Sequence, residues 1–223
     1  MTSSSTRTDP VPEIPAALFV DPAAESRWRG RFTAARVSVP DWARDAPDRS
    51  VYSSNATGTW EIYAWDRATD THRRVTDRPQ GTRGGTASTD GAAIWWFDDT
   101  DGDEFGVWVH EPFTGGEAQP AVPGAVPGYP AGLELGRRVV AVGWSTDDGS
   151  TLAVSEDGGD GDLGEARVLY THTEDAGIGA LSRDETLLAI SHAEHGDSRH
   201  PAVRVVRVED GSRVGERHDG PGP

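Results

Sequence analysis

The strongest constraint on the fold of this chain is a strand-and-turn unit that recurs at a nearly constant period. Between Asp48 and Thr76 the sequence reads D-R-S-V-Y-S-S-N-A-T-G-T-W-E-I-Y-A-W-D-R-A-T-D-T-H-R-R-V-T. A β-branched and aromatic run, a polar Asn/Gly turn, a second run from Trp60 to Trp65, another polar turn and a closing run from Arg73 to Thr76 predict three strands of a meander. A further strand before Asp48 completes a four-stranded antiparallel unit. Unit starts at Arg49, Gly91, Gly136 and Glu185 keep the later strands in register, at spacings of 42, 45 and 49 residues. A start at Asp148-Gly149 in place of Gly136 would make the spacing irregular.

A period of about 40 to 50 residues with four strands per repeat is the pattern of a β-propeller. The sequence therefore predicts an all-β fold of about four four-stranded antiparallel blades, a partial or open ring, over roughly residues 41–77, 84–122, 131–173 and 178–218. Third strands are expected at Glu61 to Trp65, Gly106 to Val109, Thr151 to Ser155 and Val203 to Val208. Fourth strands are expected at His72 to Thr76, Ala118 to Val122, Ala166 to Thr171 and Arg213 to Arg217. The segment Ala121 to Gly132 alternates Pro and Gly and is read as a link without regular strand. Glu156 to Gly164 is read as a Gly/Asp-rich turn.

Residues 1–40 form an amino-terminal arm. Met1 to Pro15 is rich in Ser, Thr and Pro without periodicity and is expected to be disordered or laid along a surface. Asp21 before Pro22 is an N-cap and first-turn pair that starts one short helix, with Gly30 as its expected end. Trp28 and Phe32 are apolar enough to require a partner surface. Arg36 to Pro47 is either the innermost strand of the first blade or a lead-in with Trp42 packed under it.

The formal charge of −16, with Arg at all 21 Lys-plus-Arg positions, argues against nucleic-acid or anionic-membrane binding. The absence of cysteine excludes disulfides, a thiolate nucleophile and a zinc–thiolate site. The first residues lack an apolar core of signal-peptide length and no run approaches about 18 apolar residues, so a cytoplasmic protein is expected.

Three constellations carry possible chemistry. Asp99, Asp101 and Asp103 alternate and Glu104 follows, as in the start of a calcium loop, but Glu104 stands where that loop needs glycine and His110 where it needs glutamate. The corresponding turns of other blades are also polar, so a solvated hairpin is expected. His192, His195, Asp197 and His200 suggest metal ligation but lack the His-Glu-x-x-His helix pattern, and a packed loop with Arg199 paired to a carboxylate is expected instead. Gly143-Trp144-Ser145-Thr146-Asp147 lacks the second glycine of a nucleophile elbow and no helix follows it, so Ser145 is read as a turn residue. Trp60, Trp65, Trp95, Trp96 and Trp108 fall on strands, where packing between blades is expected. No catalytic, cofactor-binding or metal-ligating residue is assigned, and no cofactor.

The first unit, with S-N-x-x-G-x-x-E-I-Y-x-W-D and R-R-V-T, resembles the blade of TolB-like propellers. Ile14 through Trp42, W-W-F-D-D-T-D-G-D-E-F-G-V-W from Trp95 and S-H-A-E-H-G-D-S-R-H-P from Ser191 resemble the amino-terminal half of bacterial serine peptidases of the prolyl oligopeptidase family. That resemblance implies a propeller of about seven blades over an α/β-hydrolase domain that carries a Ser-Asp-His triad and admits only short peptides. No residue here matches a triad position, so the resemblance makes the hydrolase domain the partner in cis, short peptides the substrates, and this chain an incomplete portion of a longer enzyme. A stand-alone TolB-like interaction propeller is the alternative.

Overall fold

The computed structural model describes residues 19, 21–99, 101–156 and 164–218. The chain divides into two units, Met1–Ala35 and Arg36–Pro223, five residues earlier than the expected end of the arm at residue 40. The first unit holds one helix, α1 (Pro22–Thr33), capped as expected by Asp21, whose Oδ1 accepts from the Ala23 NH at 2.9 Å. Gly30 does not end it: the helix runs on to Thr33 and the chain leaves it extended at Ala34. Glycine lowers helix propensity without breaking a hydrogen bond, so an interior position is tolerated. Trp28 packs between Phe19 and Phe32, with ring centroids 5.5 and 4.9 Å apart.

The second unit contains four four-stranded antiparallel sheets, each built from consecutive strands. Blade 1 comprises β1 (Asp41–Trp42), β2 (Arg49–Ser54), β3 (Glu61–Asp66) and β4 (Thr71–Arg74). Blade 2 comprises β5 (Gly85–Ala87), β6 (Ala93–Asp99), β7 (Gly106–Pro112) and β8 (Gln119–Pro120). Blade 3 comprises β9 (Tyr129–Leu135), β10 (Val139–Thr146), β11 (Gly149–Glu156) and β12 (Arg167–His172). Blade 4 comprises β13 (Ala176–Leu181), β14 (Leu187–His192), β15 (Ala202–Arg207) and β16 (Arg213–Arg217). This is the expected all-β propeller, and its sheets form a partial or open ring. The turn expected at Glu156 to Gly164 falls mostly outside the described residues, as does the segment Met1 to Pro15.

Three cores lie between successive blades, and alternation along the strands explains them. Side chains of a strand point to opposite faces with period two. In β6, Ile94 and Trp96 join the core shared with blade 1, whereas Trp95 joins the core shared with blade 3. In β10, Val140 and Val142 face blade 2, while Val139 and Ala141 face blade 4 beside Leu188 and Ile190. Burial on both faces is why β10 reads as a nearly continuous apolar run. No comparable packing joins β14–β16 to β1–β4 among the described residues.

Two local expectations are corrected. The link Ala121 to Gly132 is not free of strand, because β9 begins at Tyr129. Its register against β10 shifts between Val142 and Trp144, leaving Ala131 and Gly132 opposite Gly143, and Gly132 takes φ +107° in this bulge. A Cβ there would come within 2.7 Å of the Ile178 Cβ, so glycine is required. Of the two readings of Arg36 to Pro47 the strand holds, since Asp41–Trp42 form β1 paired with β2, whereas Trp42, 63% exposed, is not packed under blade 1.

Candidate functional site: the cavity on the hairpin face

The hairpins between second and third strands lie at the same end of each blade as the start of its first strand. On this face a cavity of about 660 Å³ opens where the approach to β5, the β6–β7 hairpin and the start of β9 meet. The approach, Gln80 to Gly85, is held by local chemistry. The Thr82 NH donates to the Trp60 carbonyl at 2.6 Å, and the Ser53 hydroxyl donates to the Arg83 carbonyl at 2.8 Å. Gly81 has φ +78°, and a Cβ there would meet the Trp60 carbonyl oxygen at 2.6 Å.

Trp95, Phe97 and Trp108 form the aromatic wall. Trp95 stacks on His110 at 4.5 Å, Phe97 meets Trp108 edge-on at 5.2 Å, and Trp108 Nε1 donates to the Gly143 carbonyl at 3.1 Å. The first two are adjacent-strand pairs, and the Trp108 bond ties blade 2 to blade 3. Burial pushes the His110 pKa down, which keeps the ring neutral beneath Trp95.

Asp99 shows what the acidic hairpin is for. Its Oδ1 accepts from the NH groups of Gly102 and Asp103 at 2.7 and 3.1 Å, and Oδ2 accepts from the Glu104 NH at 3.0 Å. Desolvation acts to raise its pKa, but these amides outweigh it and hold the carboxyl below the ordinary range. The carboxylate orders the turn, as a hairpin rather than a calcium loop requires. Asp103 Oδ1 caps the Phe105 NH at 3.1 Å, and Asp101 is exposed.

The histidine cluster is divided by the fold. His192 ends β14 and is 2% exposed. His195, Asp197 and His200 lie in the following hairpin, where His200 Nδ1 sits 2.8 Å from Asp197 Oδ2 and His195 Nε2 lies 2.9 Å from the His200 carbonyl. The described residues contain no group of three or more His, Asp or Glu able to hold a metal ion. Arg199 does not form the expected carboxylate pair: its backbone NH donates to Asp197 at 3.0 Å, and its side chain has no ion pair among the described residues. Ser145 sits on β10 opposite Ser150 and Tyr129, as a strand-end residue.

His192 instead joins a network that sequence spacing did not reveal. Arg204 donates from Nη1 and Nη2 to Glu194 at 2.6 and 2.8 Å and from Nε to Glu216 at 2.5 Å. The Tyr170 hydroxyl donates to Glu194 at 2.9 Å. Hydrogen bonding to Arg204 holds the Glu194 pKa down at about 2, whereas burial and the Glu194 carboxylate push the Tyr170 pKa up. His192 Nδ1 accepts from the Glu194 NH, and its Nε2 lies 3.4 Å from Glu216 without a hydrogen bond. Burial, with Arg204 nearby, lowers the His192 pKa. The alternation of Arg204 with Val203 and Val205 on β15 is the one sequence signal that puts this arginine on a single face.

The aromatic expectation holds for Trp95, Trp96 and Trp108 and fails for the other two. Trp65 stacks on His72 at 5.3 Å within blade 1, and Trp60 lies under the Arg83 guanidinium at 5.8 Å. Arg83 itself carried no sequence signal beyond its place in Gly-Thr-Arg-Gly-Gly.

No protein-family model and no curated protein matches the sequence. Solved structures do resemble the fold. TolB from Acinetobacter baumannii matches with TM-score 0.56 and 17% identity over 80% of this chain and 42% of its own. The β-propeller domain of the Trilobed protease from Pyrococcus furiosus, described as having an open velcro topology, matches with TM-score 0.55 and 12% identity over 83% and 57%. Oligogalacturonate lyase from Vibrio parahaemolyticus matches with TM-score 0.56 and 15% identity over 83% and 54%. The chain spans about half the length of these structures, and at such identities the likeness is one of fold. No helix among the described residues is long and apolar enough to cross a membrane.

Proposed function

We propose that this chain is the substrate-gating propeller region of a cytoplasmic serine peptidase resembling the prolyl oligopeptidase family. The α/β-hydrolase domain acts in cis, and short peptides are the substrates. The observation that carries this reading is the run of four consecutive four-stranded blades with an apolar core between each neighbouring pair. Each of the four sheets is built from four consecutive strands of its own. A protease propeller with an open topology matches 83% of the chain. Neighbouring blades that meet through packing and a few hydrogen bonds, each with its own complete sheet, fit a gate whose aperture admits a peptide and excludes a folded protein.

The test is the gene. The coding sequence beyond Pro223 is expected to contain further blades and then a Gly-x-Ser-x-Gly elbow followed by Asp and His. Its product is expected to cleave a chromogenic dipeptide substrate while leaving folded casein-sized proteins intact, and to lose that size discrimination when residues 41–223 are deleted. A downstream sequence without the elbow, or equal cleavage of large and small substrates by the intact product, overturns the proposal.

A further inference from the structure

The cavity on the hairpin face has the chemistry of a ligand site. Its volume of about 660 Å³ lies within the range of small-molecule pockets, roughly 300–1,000 Å³. One wall is aromatic, formed by Trp95, Phe97 and Trp108. Two charges on its lining have no counter-ion among the described residues. The Arg83 side chain is exposed, with its guanidinium over the Trp60 ring and no ion pair among the described residues, and Glu104 stands at the hairpin tip with φ +66° and an unpaired carboxylate. The neighbouring charges are already engaged: Asp99 by three backbone amides, and Asp98 by Arg78.

We propose that this cavity binds a short zwitterionic peptide. Arg83 takes its carboxylate, Glu104 takes its ammonium group, and an aromatic or large apolar side chain lies against Trp95, Phe97 and Trp108. The inference rests on the reading of the chain as a propeller that handles short peptides, and it names where on the propeller such a peptide is held.

The test uses the 223-residue chain and isothermal titration with glycyl-phenylalanine, its C-terminal amide, its N-acetyl form and 3-phenylpropionate. The free dipeptide is expected to saturate below about 1 mM. Amidation or acetylation is expected to weaken binding at least tenfold, and phenylpropionate to bind at least tenfold more weakly than the dipeptide. Arg83→Ala removes the difference between acid and amide, and Glu104→Gln removes the difference between free and acetylated amine. Both side chains project from the surface, so folding is retained. Absence of saturation, equal binding of all four compounds, or wild-type affinity in Arg83→Ala overturns the proposal. Because binding is read on this chain without hydrolysis, the result is independent of whether the downstream gene encodes a peptidase.

Discussion

Arg49 donates from Nη1 to the carbonyl oxygen of Gly91 at 2.9 Å, joining two residues that each stand at the start of a repeat. The same guanidinium lies 5.1 Å from the centroid of the Phe113 ring. This seam between repeat starts continues around the ring. Thr89 donates to the Gly136 carbonyl at 3.1 Å, and the Glu185 carboxylate accepts from the NH groups of Arg137, Arg138 and Val139 at 2.7 to 3.0 Å.

Arg49→Ala is expected to lower the unfolding free energy by about 2 kcal/mol, from the loss of a charge-assisted hydrogen bond and a cation–π contact. Arg67→Ala, which breaks the exposed pair with Asp48, is expected to cost less than about 1 kcal/mol. Urea unfolding of both variants measures the contrast. Equal effects would remove Arg49 from any special role at the seam.

Glu185 occupies with φ +59° the position that Gly91 occupies with φ +71° in blade 2. Ser88-x-Asp90 and Ser182-x-Asp184 make the same turn, each Ser hydroxyl donating to Asp Oδ1 at 2.6 Å. Glu185→Gly relieves about 1 kcal/mol of backbone strain but removes three bonds to blade 3. A net loss of about 2 kcal/mol is expected. A thermal midpoint above wild type would show that the carboxylate contributes less than the strain.

Stability is expected to fall with acid in two steps. His192 is held below its ordinary 6.5 by burial, facing Arg204, Glu194 and Glu216, with Tyr170 nearby. The unfolded chain therefore takes up that proton first, and stability declines as pH falls below about 6.5. Glu194 titrates at about 2 in the fold against an ordinary 4.5, so stability present above 4.5 is lost as pH falls towards 2. Urea midpoints across this range should lose the first step in His192→Gln, whereas Glu194→Gln should shrink the second without abolishing it, because the Asp99, Glu185 and Glu216 carboxyls are also held below their ordinary values in the fold.

Neither ion binding nor acyl transfer is expected of this chain. Calorimetric titration should reveal no sub-micromolar calcium site, because Asp99 already spends both oxygens on its own hairpin. A fluorophosphonate probe should leave the chain unlabelled, and Ser145→Ala should change nothing in that assay. Labelling that disappears in Ser145→Ala would overturn the reading of Ser145 as a strand-end residue.

The strands and the places where each repeat begins were legible in the sequence, because both depend on local chemistry. Alternating side chains, Asn/Gly hairpins and the Ser-x-Asp turn act over a few residues, so β2, β6, β10 and β14 could be placed from their patterns alone. The fate of Asp99 is equally local. What only the tertiary structure decided is everything that depends on one blade meeting the next. The bulge at Gly132 follows from the approach of Ile178, 46 residues away, and Glu185 stands at a glycine position because blade 3 offers it three amides. His192 left its neighbouring histidines for Arg204 and Glu216 because a residue that ends a strand faces the sheet, whereas residues of the next turn face solvent. Arg83 became part of a cavity in the same way. Sequence proximity encodes turns, but side chains many residues apart are brought together only when burial of apolar surface stacks the blades.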